Sequence, residues 1–226
     1  MLGSRRLGHR AGIAGALLIV ALGGLWFVRG RIAAGVRPMH ADARIEALAR
    51  EVRAAADEAG LDPYLLAGLV YSESSGRVDA VSSAEALGLC QLQLPTARDQ
   101  ARRMGLPEPT HDQLLEDPAL NLRLGASYLA WIRERQEGSN ERALMAYNTG
   151  PSRFARWLEE DGGYAAWRQR VDAEGPPGPN SVRTFARRVL DQAQRMREEG
   201  LLEPNGAGPQ TRGTRDPGFG RGPVAD

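Results

Sequence analysis

Twice in this chain an aspartate is followed at once by proline at the head of an apolar run, and these two starts constrain the fold class most. Asp62-Pro63 opens "LDPYLLAGLVYSE" and Asp117-Pro118 opens "DPALNLRLGASYLAWIRERQ". An aspartate oxygen can accept from a first-turn amide, and proline lacks the N–H that would be orphaned there. Behind each start the apolar residues recur at three- and four-residue steps: Leu66, Leu69 and Val70 in one, Leu120, Leu124, Tyr128 and Trp131 in the other. The same period runs through Ile45, Leu48, Ala49, Val52, Ala56 and Ala59 and stops at Gly60. Further helices are predicted over 95–104, from Ser139 or Asn140 to Gly150, from Pro151, in "GYAAWRQRV", and in "SVRTFARRVLDQAQRMREE", which puts Val182, Phe185, Val189 and Met196 inside. Residues 74–88 break the pattern and predict a shaped loop or a short hairpin. The "EGPPGPN" stretch reads as a loop. The body, 41–203, is therefore expected to be one all-α domain.

The two ends differ from the body. Residues 1–40 read as a signal anchor or signal peptide with a linker: "RRLGHR" is basic, and Ala11–Val28 is eighteen residues without a charge. At about 1.5 Å per residue such a helix nearly crosses a bilayer core. Trp26 and Phe27 would sit at one interface, followed by Arg29 and Arg31. A retained anchor is favoured over cleavage near "ALG" or "IAA", and either reading places the body outside the cytoplasm. The tail, 204–226, is rich in glycine and proline and reads as disordered.

Composition narrows the function classes. With 29 basic and 28 acidic side chains the net charge is +1, and the arginines are scattered, so no nucleic-acid partner is expected. One cysteine, Cys90, excludes an internal disulfide, and three histidines without shared spacing suggest no metal site. His111 reads as a loop residue without an evident partner. Tyr128 and Trp131 read as core residues and Trp157 and Trp167 as helix packing, with a platform stacking on a ligand as the alternative for each pair.

The candidate catalytic residue is Glu73. It follows Leu69 by four and Val70 by three, on the apolar stripe, and stands at a helix C-terminus where the dipole disfavours negative charge. A polar loop with glycines follows. Partial burial at that end favours the protonated carboxyl, the form a general acid needs.

The segments "ES" at 73–74, "AVSSAEALGLCQL" at 80–92, "NLRLGASYL" at 121–129 and "ALMAYNTGPSRF" at 143–154 resemble, in order and spacing, the lytic murein transglycosylases. The resemblance spans about 61–190. It implies the goose-type, lysozyme-like helical fold, peptidoglycan glycan strands as substrate, and no metal or cofactor. It implies Glu73 as the single catalytic acid, with Ser82, Gln91 and Asn148 lining the sugar cleft and Tyr147 facing the acid. Gly88 and Leu89 match the turn carrying the glutamine, Gly125 and Tyr128 match helix-packing positions, and Gly150 and Pro151 shape the turn presenting Tyr147 and Asn148. Most glycosidases hold two carboxyl groups. In this family one suffices: the acid protonates the leaving oxygen, the N-acetyl group can assist, and the sugar's own 6-hydroxyl attacks, leaving a 1,6-anhydromuramyl end.

Several positions depart from the family pattern. Gly76 and Val78 replace a phenylalanine and a proline, Glu85-Ala86 replaces Gly-Ala, and Cys90 replaces a methionine. Pro95 is displaced by one position, Phe185 stands for a late tyrosine, and Ser181 for the glutamate often before it. Glu85 thus reads as solvated on the loop rim, with a role as modulator of Glu73 or in positioning water as the alternative; Cys90 reads as a small buried replacement. Two other readings of the whole remain: a glycan-binding scaffold on a degenerate lysozyme-like fold, and a hydrolytic muramidase.

Overall fold

The computed structural model describes residues 40–175, 178 and 181–203. The apolar segment 11–28 and the tail 204–226 lie outside the described residues, as does part of the "EGPPGPN" loop. Among the described residues no helix is long and apolar enough to cross a membrane.

The body is helical and, among the described residues, has no strand. A first helix, α1, is described from 40 to 47. It is followed by α2 (Ala49–Ala59), α3 (Pro63–Ser74), α4 (Leu94–Arg103), α5 (His111–Glu116), α6 (Pro118–Arg135), α7 (Asn140–Thr149), α8 (Pro151–Asp161), α9 (Tyr164–Ala173) and α10 (Val182–Glu198). The expected caps are in place. Asp62 accepts from the Tyr64 amide and Asp117 from the Leu120 amide, and Ser139 accepts from the Arg142 amide.

Three local expectations change. The single helix expected over 41–59 tightens at Leu48, whose N–H donates to Ile45 three residues back. The helix after the loop starts at Leu94, with Pro95 in its first turn. His111, expected in a loop, opens α5; Thr110 accepts from the Gln113 amide while the Gln113 side chain accepts from the Thr110 amide. This reciprocal cap satisfies two otherwise orphaned donors and stabilises a helix of only six residues.

The centre of the fold is α3. Tyr64 to Val70 are all buried, so this helix is enclosed on every side rather than along one stripe. Across it lies α10, which also packs on α7, while α2 packs on α3 and α6. The close approach is made at Gly68, where a Cβ would stand 2.4 Å from the Val189 carbonyl oxygen. The exposed end of α3 is closed by cations: Arg44 donates to the Ser75 carbonyl at 2.9 Å and Arg77 to that of Ser74 at 3.2 Å.

The segment from Ser75 to Gln93 then folds against α6. Isolated antiparallel bridges pair Val81 with Leu87 and Leu87 with Leu92, so the expected loop or hairpin is a loop with two bridges. Its attachment is Asn121, fully buried in α6. The Asn121 oxygen accepts from the Cys90 amide at 2.9 Å, and its nitrogen donates to Leu87 at 3.0 Å and Leu114 at 2.9 Å. Replacing Asn121 by alanine orphans two buried backbone groups, the Cys90 amide and the Leu114 carbonyl, at roughly 1–3 kcal/mol each before relaxation, while the Leu87 carbonyl keeps the Leu92 amide. Asn121→Ala is expected to lower stability by about 3 kcal/mol or more, read as a fall in Tm by calorimetry.

Candidate active site

A cleft of about 620 Å³ opens where α3, the 75–93 loop, α6, α7 and the start of α8 converge. Glu73 contributes from α3, Ser82 and Gln91 from the loop, Tyr128 from α6, and Tyr147 and Asn148 from the end of α7. All five residues expected in the site are thus brought to one cavity: Glu73, Ser82, Gln91, Tyr147 and Asn148. Glu73 is the sole carboxylate among the described lining residues.

The Glu73 carboxyl is partly buried and makes no hydrogen bond to another described residue. Burial pushes its pKa up to about 7, against the opposing pull of the Arg188 guanidinium on α10. An enclosed helix leads to the cleft wall, and its last turn leaves the carboxyl in a poorly solvated place without a compensating partner.

The loop residues are held by their own bonds. The Ser82 hydroxyl oxygen accepts from the amides of Ala84 at 3.2 Å and Ala86 at 3.0 Å. The Gln91 side-chain nitrogen donates to Ala80 at 3.1 Å and Gly88 at 2.9 Å. Because both partners are carbonyl oxygens, the amide orientation is fixed, and the Gln91 side-chain oxygen is left for the cleft. Tyr147 is buried and donates to the Cys90 carbonyl at 2.8 Å. Its ring meets Tyr128 at 5.1 Å, and burial first, then Cys90 and Glu73, hold its hydroxyl protonated well above the usual tyrosine range. Asn148 is exposed at the cleft.

Cys90 is fully buried, and burial pushes its thiol pKa far up, so it stays protonated. Its sulfur fills the space beside Gly125, where a Cβ would lie 2.4 Å away. A small residue on α6 thus lets the loop seat on it.

Glu85 does not join the cleft. It is exposed at the tip of the turn and faces a neighbouring depression instead. Its backbone φ of 56°, held by the Ser82 turn, decides that direction. Trp157 and Trp167 are also elsewhere, on a separate cavity of about 480 Å³ between α8, α9 and α10. Trp167 is buried against Phe154 and Tyr164. Phe185 is buried under the Arg188 guanidinium.

Sequence reasoning assigned Tyr128 to the core, yet it also lines the cleft, and stacks on Trp131 at 6.0 Å behind it. Several lining residues escaped it, among them Thr96 and Gln93 at the start of α4 and Arg153 in the first turn of α8. Arg153 had a readable signal, since Gly150 ends α7 and also begins α8, placing Arg153 three residues beyond a shared joint.

The family model described as the transglycosylase SLT domain matches residues 50–169, more than half of the chain. The chain belongs to this family. Endo-type membrane-bound lytic murein transglycosylase A of Salmonella typhimurium is 44% identical over 73 residues, 31% of this chain and 36% of that one. The chain thus spans about a third of the length of such relatives. An inactive mutant of the lytic transglycosylase Slt from Pseudomonas aeruginosa superposes with a TM-score of 0.56 at 27% identity, over 69% of this chain and 25% of that one. The 70-kDa soluble lytic transglycosylase of Escherichia coli, at 23% identity and a TM-score of 0.51, covers 64% of this chain and 24% of its own length and shares the fold. The matched segment of this SLT domain carries Glu73, Ser82, Gln91, Tyr147 and Asn148.

The raised Glu73 pKa has a consequence for stability. In the unfolded chain the carboxyl ionises near 4.5, in the folded one near 7. The folded state therefore loses stability as pH rises between those values, by on the order of 3 kcal/mol in all. Glu73→Gln is expected to raise Tm above about pH 7, with the gain shrinking as pH falls and vanishing below about 4.5. Arg188→Gln is expected to move the midpoint of that difference to higher pH, because it removes the charge that favours the carboxylate. Thermal melts across the pH range read both.

Proposed function

We propose that this SLT domain is a peptidoglycan lytic transglycosylase that cleaves the bond between N-acetylmuramic acid and N-acetylglucosamine. The observation that carries the proposal is a single carboxyl in the cleft, partly buried and with its pKa near 7. A carboxyl in that range holds a proton at near-neutral pH and can accept one back, as general acid and base chemistry requires. Glu73 donates its proton to the leaving glycosidic oxygen. The substrate's own 6-hydroxyl then attacks the anomeric carbon and gives up its proton to the carboxylate, restoring Glu73. An internal nucleophile removes the need for a second carboxylate and gains from proximity. Ser82, Gln91, Tyr147 and Asn148 orient the sugars.

The catalytic unit is 41–203, and residues 11–28 tether it to the inner membrane on its periplasmic side. The length and apolarity of 11–28 support the tether. The Salmonella relative, named as membrane-bound, agrees with it.

Glu73→Gln is expected to lower release of soluble muropeptides from purified sacculi by about a hundred- to ten-thousandfold while the protein stays folded. Mass spectrometry of wild-type products is expected to show anhydromuramyl ends. Reducing ends, heavier by one water, would mean a hydrolytic muramidase. Binding without any release would mean a glycan-binding scaffold.

A further inference from the structure

Ala84 and Gln93 line the Glu73 cleft on one side and a second depression of about 440 Å³ on the other. The depression therefore adjoins the cleft across these two shared residues. Its floor is aliphatic: Leu87 is buried beneath it, and Leu94 and Pro95 come from the start of α4. Val81 stands in its wall at 54% exposure, the exposed large apolar side chain of the described residues.

Two polar groups complete the lining, Glu85 and His111. The Glu85 carboxylate makes no hydrogen bond or ion pair with another described residue. His111 meets Asp112 through Nδ1 at 3.1 Å, so its other nitrogen is unengaged among the described residues. The turn that carries Glu85 is fixed, because the Ser82 amide donates to the Ala86 carbonyl and the Glu85 amide to the Ser82 carbonyl, each at 3.0 Å.

We propose that this depression is a subsite for the peptide branch of the glycan strand, and that it takes the branch's amine-bearing aliphatic residue. The methylenes lie against Val81, Leu94 and Pro95, and the ammonium group pairs with Glu85. Adjacency to the Glu73 cleft puts this place within reach of a branch on a bound sugar. The lining has no tryptophan, tyrosine or phenylalanine ring for a pyranose face to rest on, whereas an aliphatic wall with one unpaired carboxylate complements an alkylammonium chain. Glu85 thereby gains a role outside the chemistry of Glu73. The assignment rests on the reading of the chain as acting on peptidoglycan.

The full chain is assayed on three substrates: strands with free branch amines, the same strands with those amines N-acetylated, and strands stripped of peptide. Wild type is expected to show a KM about two- to fivefold lower for free than for acetylated amines, as a partly exposed ion pair allows. Glu85→Gln and Glu85→Arg are expected to erase that ratio, leaving kcat and all kinetics on stripped strands as in wild type. An unchanged ratio in both variants overturns the subsite. An equal loss on stripped strands also overturns it, and points to a further sugar site instead.

A readout without turnover separates this proposal from the enzymatic one. The Val81 methyl resonances are followed while a synthetic stem tetrapeptide with a free diamino-acid amine is added. Shifts are expected in wild type, and weaker ones in Glu85→Arg or with the acetylated peptide. Shifts in a protein that cleaves nothing keep the subsite and remove the enzyme reading; no shift at millimolar peptide removes the subsite.

Discussion

The side chain of Asn121 carries the greatest share of the architecture for its size. One amide group, inside α6, holds the Cys90 amide and the carbonyls of Leu87 and Leu114. It thereby fastens a loop that has almost no regular structure of its own to the longest of the described helices. The Tyr147 hydroxyl makes the complementary attachment from α7, through the Cys90 carbonyl. Cys90 is thus pinned by its amide, its carbonyl and its sulfur, and Gln91, the next residue, is delivered to the cleft with little freedom left. Packing alone could not do this, because a polar loop buries too little apolar surface to define one conformation.

The second constraint is the enclosure of α3. A helix buried from Tyr64 to Val70 is a stiff rod, and it ends at the cleft. That geometry gives Glu73 both its position and its electrostatics. The stability sacrificed at this carboxyl is supplied by the surrounding core, which allows a partly desolvated acid to persist. Arg188 limits the effect from α10, so the contact between α3 and α10 at Gly68 bears on the chemistry as well as the packing.

Much of this was legible in the residues. Asp62, Asp117 and Ser139 marked helix starts because their side chains can meet first-turn amides, a strictly local property. The ordered blocks around Glu73, Gln91 and Asn148 marked the site. What escaped depended on tertiary or finely local geometry. His111 was placed in a loop because the Thr110–Gln113 cap is needed to see so short a helix. Glu85 lay close in sequence to the site, and of its two readings the solvated place on the loop rim is the one found, at a left-handed backbone position beside the neighbouring depression. Arg188 is over a hundred residues from Glu73 in the chain, and no local pattern signals that α10 crosses α3. Tyr128 shows that core and cleft are not exclusive, since one face of its ring packs while another part lines the cavity.

The bonds that hold the Ser82 turn also assign polarity to the cleft wall. Ser82 has spent its lone pairs on two amides, so what it has left to give is a proton. Gln91 has spent both amide hydrogens, so what it has left is a lone pair. Any molecule seated there meets a fixed donor beside a fixed acceptor, and neither can swap roles without unfastening the loop. An inhibitor designed for this cleft should therefore carry its acceptor and its donor in that order along one edge, and its mirror arrangement should fail however well its shape fits.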